Sequence, residues 1–255
     1  MMSGETILEV EGLSKSFGGL KAVDDVSLSV KRGLIFGLIG PNGSGKSTLF
    51  NLISGVEKED RGKVTFDGRP IDNLPPHEIL KLGLGRSFQI PRLFFGMTVL
   101  DNTMTAFKDQ AGERPTVALR TGKWERQEVE LAEVAKRELE LLEISHLYLK
   151  PPTEVSGGQM KLLQFALAFM GNPKMVLLDE PTAGVAPRLA QDIFKEIDSR
   201  KRERGTTFFI IEHRLEVLFK HVDHVLMMHQ GRIIAEGKPG EIVSNRKVID
   251  AYLGG

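Results

Sequence analysis

Cysteine is absent from this 255-residue chain, which excludes disulfides, thiolate nucleophiles and cysteine-ligated metal sites. Net charge is absent too, because 34 Lys and Arg residues balance 34 Asp and Glu. A chain that binds nucleic acid through its phosphates carries a basic excess, so no nucleic-acid partner is expected. Long hydrophobic runs are missing. Spanning a bilayer takes ~18 consecutive apolar residues, whereas "LIFGLIG" and "TTFFII" are strand-length and end in turn or charged residues. The first residues show no basic start followed by an apolar stretch, so no secretory leader is expected. The protein is read as soluble by itself, with any membrane role exercised through a partner. Neither an internal repeat nor a low-complexity tract is present, and the length suits one large α/β domain carrying a sizeable insert.

What is there is organised by periodicity. "ILEVEGLSKSF" and "AVDDVSLSVKRG" alternate as two antiparallel strands joined at "GGLK", and "GKVTFDGRPI" reads as a second hairpin. "LIFGLIG" is a nearly continuous apolar run, the pattern of a strand buried on both faces. It leads into "GPNGSGKST" and then "STLFNLISG", an apolar-periodic helix stopped by Gly55. From about residue 76 the texture changes to helical fragments, among them "ERQEVELAEVAKRELELLEI" with Glu and Lys or Arg offset by three or four. Past residue 164 buried-type strands "KMVLLDEP" and "TTFFIIEH" alternate with helices, which argues for a parallel sheet with crossover connections. "HVLMMHQGRIIAEG" reads as two strands about a tight Gln230–Gly231 turn.

Six short stretches or positions carry chemistry. Gly40, Pro41, Asn42, Gly43, Ser44, Gly45, Lys46, Ser47 and Thr48 match G-x-x-x-x-G-K-[ST] in a strand–loop–helix context. Backbone N–H groups freed by the glycines curl around phosphate oxygens, Lys46 supplies a point charge, and the Ser47 hydroxyl suits Mg²⁺, which prefers oxygen ligands. "MVLLDE" sets Asp179 and Glu180 at the end of an apolar strand, where α/β folds bind ligands. Asp179 is read as the Mg²⁺ carboxylate and Glu180 as the base that polarises water. "VSGGQMK" places Ser156 at a helix N-cap with two glycines behind it, and that helix start carries about half a positive charge. Read alone, it fits an ordinary capped core helix as well as an anion site. His213, at the end of "FFIIEH", sits where it can reach either a phosphate or the Glu180 carboxylate. Gln89 fits a Mg²⁺ or water ligand or a plain surface amide, and Phe17 fits a purine-stacking ring or simple core.

Taken in order, "GPNGSGKST", Gln89, "SGGQ", "LLDEP" and the His213 of "EH" resemble the ATP-binding cassette ATPases over essentially the whole chain. "GRSFQIPRLFFGMTVLDN" and "IIEHRLEVL" are similar to the cassettes of branched-chain amino-acid importers, although similar sequences serve amide, urea and lipopolysaccharide transport. The resemblance implies an α/β fold: a P-loop NTPase core with a parallel sheet, an N-terminal antiparallel β-subdomain and an inserted helical subdomain. Residues 1–75 and 165–255 would form the β-subdomain and RecA-like core, and about 76–164 the helical subdomain with the signature. It implies ATP and Mg²⁺ as cofactors, with catalytic roles for Glu180, His213, Lys46 and Gln89. Phe17 and the 40–48 loop would hold ATP, and Ser47, Gln89 and Asp179 the metal. Ser156, Gly157, Gly158 and Gln159 would act in trans, because a helix start on the insert is displaced from its own chain's phosphate loop. The implied partners are integral membrane permeases, a second ATPase chain and an extracytoplasmic solute-binding protein. The implied location is peripheral, on the cytoplasmic face of the membrane. Two positions depart from the pattern: Val155 replaces a leucine, and "PTAGVAP" has Ala186 where many relatives carry an acid. A cytosolic cassette acting on DNA or ribosomes is disfavoured by the short insert and neutral charge, and a small-molecule kinase leaves the signature and His213 unexplained.

Overall fold

The computed structural model describes residues 4–87, 93–108, 110–113 and 121–253. The chain opens with two long strands, β1 (Thr6–Phe17) and β2 (Leu20–Lys31), paired antiparallel from Phe17 against Leu20. On β2, Val26, Leu28 and Val30 are buried while Ser27 and Ser29 are exposed, the alternation of a sheet with one wet face. β4 (Arg61–Phe66) adds to β1 and β5 (Arg69–Pro70) to β4, giving the antiparallel order β2-β1-β4-β5.

A second sheet forms the centre. Its order is β10-β9-β3-β8-β7-β6, from β3 (Ile35–Ile39), β6 (Leu84–Arg86), β7 (Met175–Asp179), β8 (Thr207–Ile211), β9 (His224–His229) and β10 (Arg232–Gly237). β6, β7, β8, β3 and β9 run parallel, while β10 returns antiparallel to β9. Every residue of β3, β7 and β8 is buried, so their apolar runs reflect burial on both faces. The Gln230–Gly231 turn has φ of 47° and 79°, the backbone hand of a two-residue hairpin turn.

Successive residues of these strands feed opposite cores. Phe36, Leu38, Phe209 and Ile211 pack toward the antiparallel sheet and α1 (Lys46–Ile53), where they meet Val10, Val26, Leu49 and Phe50. Ile35, Ile39, Phe208 and Ile210 pack the other way, against Phe165 and Phe169 of α5 (Gly157–Phe169) and Phe194 of α6 (Pro187–Arg204). Beyond α2 (Pro76–Leu82), α3 (Val99–Thr105) and α4 (Thr121–Leu141) pack on each other and on α5. α7 (Leu215–Leu218), α8 (Pro239–Val243) and α9 (Arg246–Leu253) complete the described chain. Among the described residues no helix is long and apolar enough to cross a membrane.

The register of the central sheet positions the chemistry. Leu38 and Asp179 both lie opposite Ile211, so β3, β8 and β7 end along one line. The glycine loop, Glu180 and His213 all leave the sheet from that edge, which is where parallel sheets bind ligands.

Candidate active site

The loop between β3 and α1 is shaped by glycines that nothing else can replace. Gly45 has φ of 104° and Gly40 of 151°. A Cβ on Gly45 would lie 2.1 Å from the Ala22 carbonyl oxygen, and one on Gly40 2.1 Å from that of Met228. Both contacts are with backbone, so a side chain cannot be accommodated without moving a strand. Lys46 is buried, and its ammonium donates to the carbonyls of Gly40 at 2.8 Å and Pro41 at 2.9 Å. Burial pushes its pKa down, while the carboxylates of Glu180 and Asp179 oppose that shift.

Asp179 closes β7 and is almost fully buried. Burial raises its pKa, chiefly against the pull of Arg86, whose Nη2 lies 3.8 Å from Oδ2. Glu180 raises it further, and the Ser47 hydroxyl and Lys46 lower it. Its Oδ1 is buried without a hydrogen-bond partner. An orphaned carboxylate oxygen beside a serine hydroxyl is the donor set a hard cation takes, so Asp179 and Ser47 fit Mg²⁺.

Glu180 follows with φ of 51°, an uncommon conformation for a non-glycine residue, and its N–H donates to the Ile211 carbonyl at 2.9 Å. Its Oε1 lies 3.0 Å from Nε2 of His213, which leaves the end of β8. The carboxylate is one of the two partners the sequence allowed for this histidine. Phe17 stands at the mouth, half exposed, with the Lys15 ammonium 5.5 Å from its ring centroid. Phe17, Lys46, Ser47, Glu180 and His213 line one cavity of about 860 Å³ together with the rest of the glycine loop. That volume lies in the ~300–1,000 Å³ range of small-molecule sites, and its mixture of fixed N–H donors, a cation and a carboxylate–imidazole pair suits a polyphosphate and an attacking water.

Ser156 caps α5 as its sequence predicts. Gln159 N–H donates to Ser156 Oγ at 3.4 Å, and Ser156 N–H to Gln159 Oε1 at 3.0 Å, a reciprocal capping box. Ser156, Gly158 and Gln159 line a separate cavity of about 630 Å³ with Leu162 and Leu189, and its lining shares no residue with that of the glycine loop. Gln89 lies outside the described residues. Sequence reasoning missed two buried charged groups. Arg86 reaches Asn51 and Ser54 of the α1 end as well as Asp179, and Glu212 binds Thr182. Only the position of Glu212 beside His213 could have drawn attention to it.

Comparison with known proteins agrees with this geometry. Residues 23–183 match the family model described as ABC transporter, and residues 232–255 one described as branched-chain amino acid ATP-binding cassette transporter. The probable branched-chain amino acid transport ATP-binding protein LivG of Methanocaldococcus jannaschii is 46% identical over 252 residues, 97% of each chain. Its namesake in Archaeoglobus fulgidus is 45% identical over 248 residues, 97% of this chain and 95% of the other. A crystal structure of a nucleotide-free ATP-binding cassette from an ABC transporter superposes with a TM-score of 0.85 at 44% identity, over 98% of this chain and 100% of that one. A glycine loop, a strand-end carboxylate pair and a histidine, set on one edge of a parallel sheet and matched along the chain in this way, place the protein in the ABC transporter family as an ATP-hydrolysing cassette.

Proposed function

We propose that the chain powers an importer of branched-chain amino acids, working as a head-to-tail pair beneath separate membrane permeases. One observation carries the pairing: Glu180 and His213 meet at 3.0 Å in the glycine-loop cavity, whereas Ser156, Gly158 and Gln159 line a different one. A second chain turned end to end brings its α5 N-terminus, with Ser156, Gly157, Gly158 and Gln159, over the Lys46 of the first. The positive helix end then meets the terminal phosphate, as helix starts do with anions.

Within each site Phe17 stacks the adenine and the amides of residues 40–48 hold the phosphates beside Lys46. Ser47 and Asp179, with Gln89, would hold Mg²⁺, which supplies charge neutralisation on the phosphate oxygens. Glu180 orients and polarises the attacking water, and His213 fixes the Glu180 carboxylate at the rim. Residues 1–75 and 165–255 act as the β-subdomain and core, and about 76–164 as the helical subdomain that carries the signature. Phe94, Phe95 and Met97 are exposed just beyond Gln89 and make an apolar docking patch for a permease. The chain thus sits peripherally on the cytoplasmic face, and a solute-binding protein outside delivers the cargo. The match over residues 232–255 supports branched-chain amino acids as that cargo.

Two measurements test the reading. Glu180→Gln is expected to lower ATP turnover by at least ~10²-fold, the lower end of general-base effects, with ATP binding retained. Steady hydrolysis at the wild-type rate would sink the role given to Glu180. Purified with its permeases in liposomes, the protein is expected to drive ATP-dependent leucine uptake. ATP turnover stimulated by urea, an amide or lipopolysaccharide, with leucine inert, would reassign the cargo.

A further inference from the structure

Glu212 is buried, 2% exposed, and its carboxylate takes four hydrogen bonds. Oε1 accepts from the Thr182 N–H at 2.8 Å and from the Thr182 hydroxyl. Oε2 accepts from the N–H groups of His213 at 2.8 Å and Arg214 at 3.1 Å. Each oxygen therefore serves a different loop, Oε1 the turn that follows Glu180 and Oε2 the turn that carries His213. Among the described residues no Lys or Arg forms an ion pair with Glu212. A carboxylate taken out of water is costly unless its lone pairs are filled, so these four donors are what hold it there and it holds them in return.

Thr182 lies inside a tight turn, with the Ala183 N–H donating to the Glu180 carbonyl at 3.1 Å. The same two segments are already stitched one step earlier, where Asp179 pairs with Ile211 and the Glu180 N–H reaches the Ile211 carbonyl. Beyond the end of the sheet the join is carried by side chains, Glu212 to Thr182 and His213 to Glu180. We infer that Glu212 is a positioning residue for ATP hydrolysis, a buried carboxylate clamp that sets the separation of Glu180 and His213. It does not line the glycine-loop cavity. It fixes the backbones from which the two reacting-site side chains project, and it rests on the reading of Glu180 as the residue that orients the water.

Glu212→Gln tests this with little change of volume. An amide NH₂ cannot accept, so whichever way it turns, the backbone N–H of one of the two loops loses its acceptor. A misplacement of 1 Å at a reacting group costs about 10²-fold, so kcat is expected to fall about 10- to 100-fold with the ATP KM within about 3-fold of wild type. Thr182→Val removes only the hydroxyl arm and is expected to lower kcat about 3-fold at unchanged KM. The double variant should be no slower than Glu212→Gln alone, since both changes open one clamp. A brace that serves stability alone predicts otherwise: a lower Tm with wild-type kcat below the melt, or kcat and KM changing together. Either result overturns the clamp. If Glu212→Gln does not fold, Thr182→Val decides, and a wild-type kcat in that variant overturns it equally. Glu180→Gln is measured alongside. Full turnover in Glu180→Gln sinks the role of Glu180, whereas full turnover in Glu212→Gln with Glu180→Gln inactive sinks only the clamp.

Discussion

Asp179 is kept in a place that its charge does not like. Burial lifts its pKa and Glu180 lifts it further, and the attraction of Arg86 at 3.8 Å does not cancel them. In the unfolded chain the carboxyl ionises near its ordinary value of about 3.9. In the folded chain it ionises only at higher pH. Stability associated with this group is therefore whole below the unfolded pKa and falls away as pH rises through the folded one. An asparagine mimics the protonated acid at every pH. Asp179→Asn is thus expected to raise Tm at neutral pH, with the gap to wild type closing on acidification, while Mg²⁺-dependent turnover collapses. Melting curves from neutral pH down to the unfolded pKa of about 3.9 check it; a variant that melts below wild type at neutral pH contradicts the assignment. Stability given up at one carboxylate for a site's charge is a common trade in active sites.

Between helices the corresponding tension is resolved by pairing. Glu138 of α4 and Arg200 of α6 are both buried and meet at 2.6 Å; Arg200 Nε also reaches Glu196 at 2.6 Å, and Arg204 reaches Glu138 at 3.1 Å. The Arg200 guanidinium lies 3.8 Å from the centroid of the Phe169 ring on α5, so three helices converge on one cation. Removing Glu138 leaves the buried Arg200 paired with Glu196, so Glu138→Ala is expected to cost less than the about 3–5 kcal/mol of a fully stranded buried charge in denaturant unfolding. Replacing Glu138 and Arg200 together by Leu and Met should recover most of that loss, and a double variant as weak as the single one refutes this account. The helices themselves were legible in the sequence, since Leu131, Ala135 and Leu139 recur at helical spacing and are the buried face of α4. So were the strand–loop–helix of residues 35–53 and the cap at Ser156, because all their determinants are contiguous. The ion pair was not: Glu138 and Arg200 stand 62 positions apart, and no local pattern pairs them. Arg86 with Asp179 and Glu212 with Thr182 were hidden for the same reason, because both depend on β6, β7 and β8 lying side by side in the sheet. Local pattern gives the element and its wet or dry face. Which two elements become neighbours is decided by the tertiary packing.

At the scale of the whole molecule the open question is how a second helix start relates to the first. Each chain offers one glycine loop and one capped α5, and they line separate cavities, so on the proposed pairing a complete site draws one from each of two chains. Two such chains related by a twofold axis bury the same surfaces reciprocally and close two sites at once, which makes the pair self-limiting. The lack of cysteine makes this directly testable, since any disulfide formed must be an engineered one. Asn42 is exposed on the loop and Ser156 is exposed at the α5 start. A disulfide demands Cα atoms within about 7 Å, a separation that free monomers in solution do not hold between chains. In a Glu180→Gln background, which retains ATP, the double variant Asn42→Cys, Ser156→Cys is expected to run as a covalent dimer after mild oxidation with ATP and as a monomer without it. Dilution should not abolish the ATP-dependent product once formed, and reduction should. If the dimer band is equally strong without nucleotide, the contact is collisional. If no dimer forms with ATP bound, α5 does not close over the partner's loop, and the head-to-tail arrangement fails.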